Sequence, residues 1–77
     1  MIMTLEDFLE KVQDELQDTP AEQITAETNY KELDEWGSLT SLSLISMIEE
    51  NYGHLITGAD VRARNSFKEL YDFVESL

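Results

Sequence analysis

Few side chains in this sequence are equipped for chemistry, and Ser38 is the one whose setting stands out. There is one histidine and no cysteine, so a thiolate nucleophile, a disulfide framework and a Cys-based zinc site are all excluded. His54 directly follows Gly53 at the end of an apolar-periodic segment. An imidazole there most often serves as an exposed helix-end residue near the negative end of the dipole, which makes it a poor general base. The 17 Asp and Glu residues are spread around helical segments as solubilising faces, and no H-E-x-x-H or EF-hand spacing gathers them. No catalytic residue and no metal ligand is therefore assigned. Ser38 opens an amphipathic segment after a loop that carries Trp36, and Gly37 keeps its N-terminal side free of crowding. A serine before a helix is above all an N-cap. The same position also suits an attached phosphodiester, because unpaired backbone N–H groups and the positive dipole end favour an anion. Local chemistry alone favours the cap.

The elements that must position Ser38 are helical. Leu5, Phe8, Leu9, Val12 and Leu16 recur at helical spacing with Glu6, Asp7, Glu10, Gln13 and Asp14 between them. Thr4 and Asp7 supply a capping box, and the helix is expected to stop near Asp18, ahead of Thr19-Pro20. Residues 20–36 lose this period but carry Ile24, Tyr30, Leu33 and Trp36, which predicts a long ordered connection pinned over the helices. A second helix is expected over about residues 38–51, with Leu39, Leu42, Ile45 and Ile48 on one face, Leu44 and Met47 widening it, and Gly53 ending it. Thr57 with Asp60 caps a single short turn that carries Ala59 and Val61. Ser66 with Glu69 opens a last helix of Phe67, Leu70, Tyr71, Val74 and Leu77. With no strand-like alternation anywhere, the fold class is all-α, a small bundle of three main helices plus one short helix.

The stretch Leu33-Asp34-Glu35-Trp36-Gly37-Ser38-Leu39, continuing through Leu42, Leu44, Ile45, Ile48, Glu49, Glu50 and Tyr52 to Gly53, resembles the acyl carrier protein family. In that family a loop leads to an Asp-Ser-Leu motif at the start of the second helix, which closes with acids, an aromatic residue and Gly. Gly53 follows Ser38 by fifteen positions, as in the family pattern, and the resemblance covers nearly the whole chain.

The resemblance implies a covalent 4'-phosphopantetheine on Ser38, flanked by Gly37 and Leu39 and installed by a phosphopantetheinyl transferase from coenzyme A. The arm's thiol would then carry acyl groups as thioesters for fatty-acid, polyketide or related secondary acyl metabolism, so the protein is a tethered substrate and not an enzyme. Further implied partners are acyl-loading and acyl-processing enzymes with basic docking patches, met by Asp34, Glu35, Leu39, Glu49 and Glu50. Leu42, Ile45, Ile48, Phe67, Leu70 and Val74 are either the lining of an acyl slot or ordinary core.

This sequence departs from the family in two places. Gly37 stands where the family usually has Asp. Thr40, Ser41, Ser43 and Ser46 occupy the turns where fatty-acid carriers show acids, leaving Glu49 and Glu50 late in the helix. Both point to a specialised carrier with its own partner choice. The alternatives are a carrier-fold interaction module that has lost the prosthetic group, and an unrelated acidic helical adaptor.

Composition bounds all of these readings. A chain of 77 residues supplies one modest core and thus one domain over residues 1–77, which tilts expectation from enzyme toward carrier or binding module. The formal net charge of -12 and pI near 4.1 disfavour nucleic-acid phosphates and anionic lipid, and favour partners with basic patches. Met1-Ile2-Met3 is too short for a secretory apolar region, and no apolar run approaches the ~18 residues of a membrane span. A cytoplasmic monomer is expected.

Overall fold

Reciprocal capping boxes start three of the four helices in the computed structural model, which describes residues 4–77. Thr4 Oγ1 accepts the Asp7 N–H at 3.1 Å while the Thr4 N–H donates to Asp7 Oδ2 at 3.2 Å, which opens α1 (Leu5–Glu15). Thr57 with Asp60 opens α3 (Gly58–Arg62), and Ser66 with Glu69 opens α4 (Phe67–Glu75). Each box pairs backbone donors that helix geometry leaves orphaned, so each fixes a starting residue within its own turn. The remaining helix, α2 (Ser38–Tyr52), starts differently: its N-cap is Gly37, and no side chain bonds the freed N–H groups. The fold is all-α, with one isolated antiparallel bridge between Asn29 and Ser66 and no strand among the described residues.

α1 ends at Glu15, earlier than the expected Asp18. Leu16 leaves helical geometry to bury completely, with its N–H still bonded to the Val12 carbonyl at 2.9 Å. α2 runs to Tyr52 and stops at Gly53, whose φ of 72° lies in the left-handed region that glycine enters without cost. α1 packs on both α2 and α4, and α3 packs on α2. Phe8 and Val12 from α1, Leu44, Met47 and Ile48 from α2, and Phe67, Leu70 and Val74 from α4 form the centre of one hydrophobic cluster.

The face that α2 turns to this cluster is only part of the expected one. Leu44, Met47 and Ile48 are buried, whereas Leu39 is 79% and Leu42 59% exposed, and Ile45 is half-buried. Leu77, expected on the apolar stripe of the last helix, lies past its end and is exposed. Between α1 and α2 the chain is ordered, with single 3-10 turns at Ala21–Gln23 and Tyr30–Glu32 and with Ile24 and Tyr30 buried. Its backbone is joined to the start of α4 through Tyr30 N–H to Asn65 O at 3.2 Å and Lys68 N–H to Ala26 O at 3.0 Å. No helix among the described residues is long and apolar enough to cross a membrane. Met1, Ile2 and Met3 lie outside the described residues.

Candidate functional site at the start of the second helix

Ser38 is the first residue of α2 and is exposed. The cap role that its type suggested falls instead to Gly37, and among the described residues no hydrogen bond engages the Ser38 hydroxyl. Gly37 has φ -177° and ψ -176°, extended backbone that any residue adopts, and a Cβ built on it meets nothing within 4 Å. The glycine is thus not relieving crowding. What it does is leave the first N–H groups of α2 without a side-chain acceptor, next to an unengaged hydroxyl and at the positive end of a helix of 15 residues.

Beside Ser38 lies a recess of about 400 Å³ between α2, α3 and the preceding connection. Its apolar wall is Trp36, Leu42, Ile45 and Val61, and its polar lining includes Lys31, Ser41 and Arg62. Ser38, Leu42 and Ile45 share one stripe of α2 because they are spaced i, i+4, i+7. On this stripe Ser38 and Leu42 are exposed, and the half-buried Ile45 packs against the edge of the core. The far wall is held by Tyr30, whose hydroxyl donates to Val61 O at 2.5 Å and to Arg64 O at 2.9 Å in a shared, three-centre arrangement. Its ring lies 4.8 Å from the Trp36 ring and 5.3 Å from the Phe67 ring, so the recess wall is stacked onto the core. Burial is the main reason that the Tyr30 phenol is pushed up to about 12.

Lys31 and Arg62 meet across the connection and α3. Lys31 Nζ donates to Arg62 O at 2.9 Å, placing an ammonium at the carbonyl end of α3. The Arg62 guanidinium folds back over Gly58, with Nη1 only 3.1 Å from where a Cβ on that residue would sit. No carboxylate lines the recess, and neither does His54. The site therefore presents a nucleophilic oxygen without a base to activate it, together with an apolar wall and two cations. Such a group can accept a modification from an external catalyst.

No protein-family model, curated protein or solved structure matches this chain. The reading of its function accordingly rests on these residues and their placement.

The sequence-expected site residues separate into groups. Gly37 and Ser38 line the recess, while Leu39 points its side chain into solvent beside it. Asp34 and Glu35 line a different hollow, with Asp18, Thr19 and Gln23. Glu35 is half-buried and already occupied: its Oε1 accepts the Asp18 N–H at 3.1 Å and the Thr19 hydroxyl at 2.7 Å, and its carbonyl accepts the Thr40 hydroxyl at 2.7 Å. It ties the end of α1 to the start of α2. Glu49 and Glu50 are exposed near the far end of α2. At 1.5 Å rise per residue, Glu49 lies about 16 Å along the axis from Ser38. Of the slot candidates, Leu42 and Ile45 line the recess, whereas Ile48, Phe67, Leu70 and Val74 are fully packed core.

Sequence reasoning missed Lys31 and Arg62. One signal for Arg62 was available, since Gly58, Ala59, Asn65 and Ser66 at its helical neighbour positions include no acid to pair with it. No comparable signal marked Lys31, which has Glu27, Asp34 and Glu35 at such spacings.

Proposed function

We propose that this protein is a carrier that holds acyl groups as thioesters on a 4'-phosphopantetheine arm attached to Ser38. The observation that carries this reading is the exposed Ser38 hydroxyl, unengaged by any internal hydrogen bond among the described residues, at the mouth of an apolar recess. Had Ser38 been the N-cap, its oxygen would have been spent on the backbone. The residues present also fit the arm's chemistry. A phosphodiester is favoured beside uncapped N–H groups and the Lys31 and Arg62 cations, and the apolar wall of Trp36, Leu42, Ile45 and Val61 suits the arm's apolar stretches.

In the modification, the Ser38 oxygen forms a bond to phosphorus, the pyrophosphate link of coenzyme A breaks, and the adenosine bisphosphate half leaves. The hydroxyl proton passes to a base of the transferase, since none lines the recess. When attached, the arm supplies the thiol that this cysteine-free chain lacks. Leu39 and Leu42, exposed in the first turns of α2 after the serine, give partner enzymes apolar anchor points. With Glu35 engaged internally, Asp34, Glu49 and Glu50 are the acids of the expected docking set left to meet basic partner surfaces.

The test is intact mass after incubation with coenzyme A and a broad-specificity phosphopantetheinyl transferase. The expected result is a gain of one phosphopantetheinyl group that is absent in Ser38→Ala. A gain that persists in Ser38→Ala places the site elsewhere. No gain with several transferases favours an armless interaction module, a reading to which the exposed Leu39, Leu42 and Leu55 also lend themselves.

A further inference from the structure

We propose that Lys31 and Arg62 form a two-cation cradle that holds the phosphodiester of the group on Ser38 at the mouth of the recess. The inference rests on the carrier reading of Ser38.

It starts from the distribution of a scarce resource. The chain has 17 acids and 5 Lys plus Arg, so an arbitrary surface cation is surrounded by carboxylates. Lys68 follows that expectation, bridging to Asp72 at 2.7 Å. Arg64 is spent on packing, with its guanidinium carbon 3.5 Å from the Phe73 ring centroid and Nη1 donating to Asp60 O at 2.9 Å. Lys31 and Arg62, like Arg64 and Lys11, make no ion pair among the described residues, but of the five cations these two line the same recess as Ser38, whose lining holds no carboxylate. Two of the five cations thus converge on the recess beside Ser38, where no carboxylate lines the wall.

Lys31 is held there by a hydrogen bond. The Lys31 ammonium spends one of its three donors on Arg62 O and keeps two for another acceptor. The Arg62 guanidinium is folded over Gly58, where the missing Cβ makes room for it on the recess side of α3. A guanidinium and an ammonium together match a phosphodiester, which offers two non-bridging oxygens and one negative charge. Gly37 belongs to the same arrangement, since an acid in its place would set a carboxylate against the diester. A cation pair here does the opposite, drawing the root of the arm toward α3 and over the apolar wall.

The experiment is phosphorus NMR on the enzymatically modified full chain, with intact mass run on every sample. The cradle shifts the phosphorus resonance away from that of the same diester on a short unfolded serine peptide. That difference shrinks as salt rises from about 10 mM to about 1 M, where the screening length falls from about 30 to about 3 Å. It is lost at low salt in Lys31→Gln/Arg62→Gln. The charge-matched Lys11→Gln/Lys68→Gln, which also removes two positive charges but away from the recess, keeps it. Full modification by mass with an identical phosphorus resonance in the wild type and Lys31→Gln/Arg62→Gln overturns the cradle and leaves the carrier reading intact. Loss of the difference in both double variants overturns it as well, by reducing it to net charge. Absence of any mass gain at Ser38 removes both proposals together.

Discussion

Replacing Tyr30 by Phe deletes one oxygen and tests how the recess wall is held. The ring is fully buried and stays packed between Trp36 and Phe67, so the substitution opens no space for side-chain collapse. What is lost is the hydroxyl that bonds Val61 O and Arg64 O. Val61 O keeps the Arg64 N–H at 3.3 Å, whereas Arg64 O loses the bond it has from Tyr30. Leaving this part-buried carbonyl unpaired costs about 1–2 kcal/mol. For 77 residues, an unfolding entropy of roughly 160 cal/mol/K converts this to a drop of about 6–12 °C in the thermal midpoint.

Tyr52→Phe is the internal control. Its hydroxyl is buried with no hydrogen-bond partner among the described residues, so its removal is expected to be neutral or stabilising by up to about 1 kcal/mol. Thermal and urea unfolding followed by circular dichroism reads both variants, and faster hydrogen exchange of the α3 amides localises the first effect. Equal losses in the two variants, or no loss in Tyr30→Phe, would refute the argument that a single hydroxyl clamps α3 to the connection.

The burial of α2 makes a sharper contrast along one helix: Leu44→Ala should cost about 2–5 kcal/mol, and Leu42→Ala, at 59% exposure, within about 0.5 kcal/mol, as read by urea midpoints. Comparable costs at both positions would mean that the helix is rotated from the described orientation. The two helix-end glycines of α2 should separate as well. Gly53→Ala forces a side chain into φ 72° and costs about 1 kcal/mol, whereas Gly37→Asp fits its extended backbone and adds a cap bond worth a few tenths of a kcal/mol. A Gly37→Asp protein that melts well below the wild type contradicts this. Stability should also fall in alkali. Burial pushes Tyr30 and Tyr52 up to about 12, and the hydrogen bond to Glu75 does the same for Tyr71. A phenol that ionises near 10 when unfolded and near 12 when folded contributes fully below pH 10, and its contribution disappears as pH rises through 12. Melting midpoints that stay level between pH 9 and 12 would sink the assignment, as would tyrosinate absorbance titrating near 10 in the native state.

Much of the architecture was legible from residues close together in the chain. The capping boxes at Thr4, Thr57 and Ser66, the stop at Gly53 and the apolar stripes of α1 and α4 each rest on partners three or four positions apart. Such interactions exist as soon as one turn forms, so the sequence alone determines them. The anchors Ile24 and Tyr30 likewise marked residues 20–36 as ordered, because residues of that size cannot be left in water without cost.

The orientation of α2 was not legible in this way. Leu39, Leu42, Leu44, Ile45, Met47 and Ile48 surround most of its circumference, so periodicity offers two competing apolar faces and no local interaction chooses between them. α1, α3 and α4 make the choice by taking Leu44, Met47 and Ile48 into the core. That rotation is what leaves Ser38, Leu42 and Ile45 on a recess instead of inside one. The two cations depend on tertiary structure still more fully, since Lys31 and Arg62 are 31 positions apart and meet only because Tyr30 draws α3 against the connection. The sequence by itself therefore determined the helices, their ends and a serine at the start of the second one. Only the packing of helices against one another decided what that serine faces, because a side chain's surroundings depend on which neighbours fill the core.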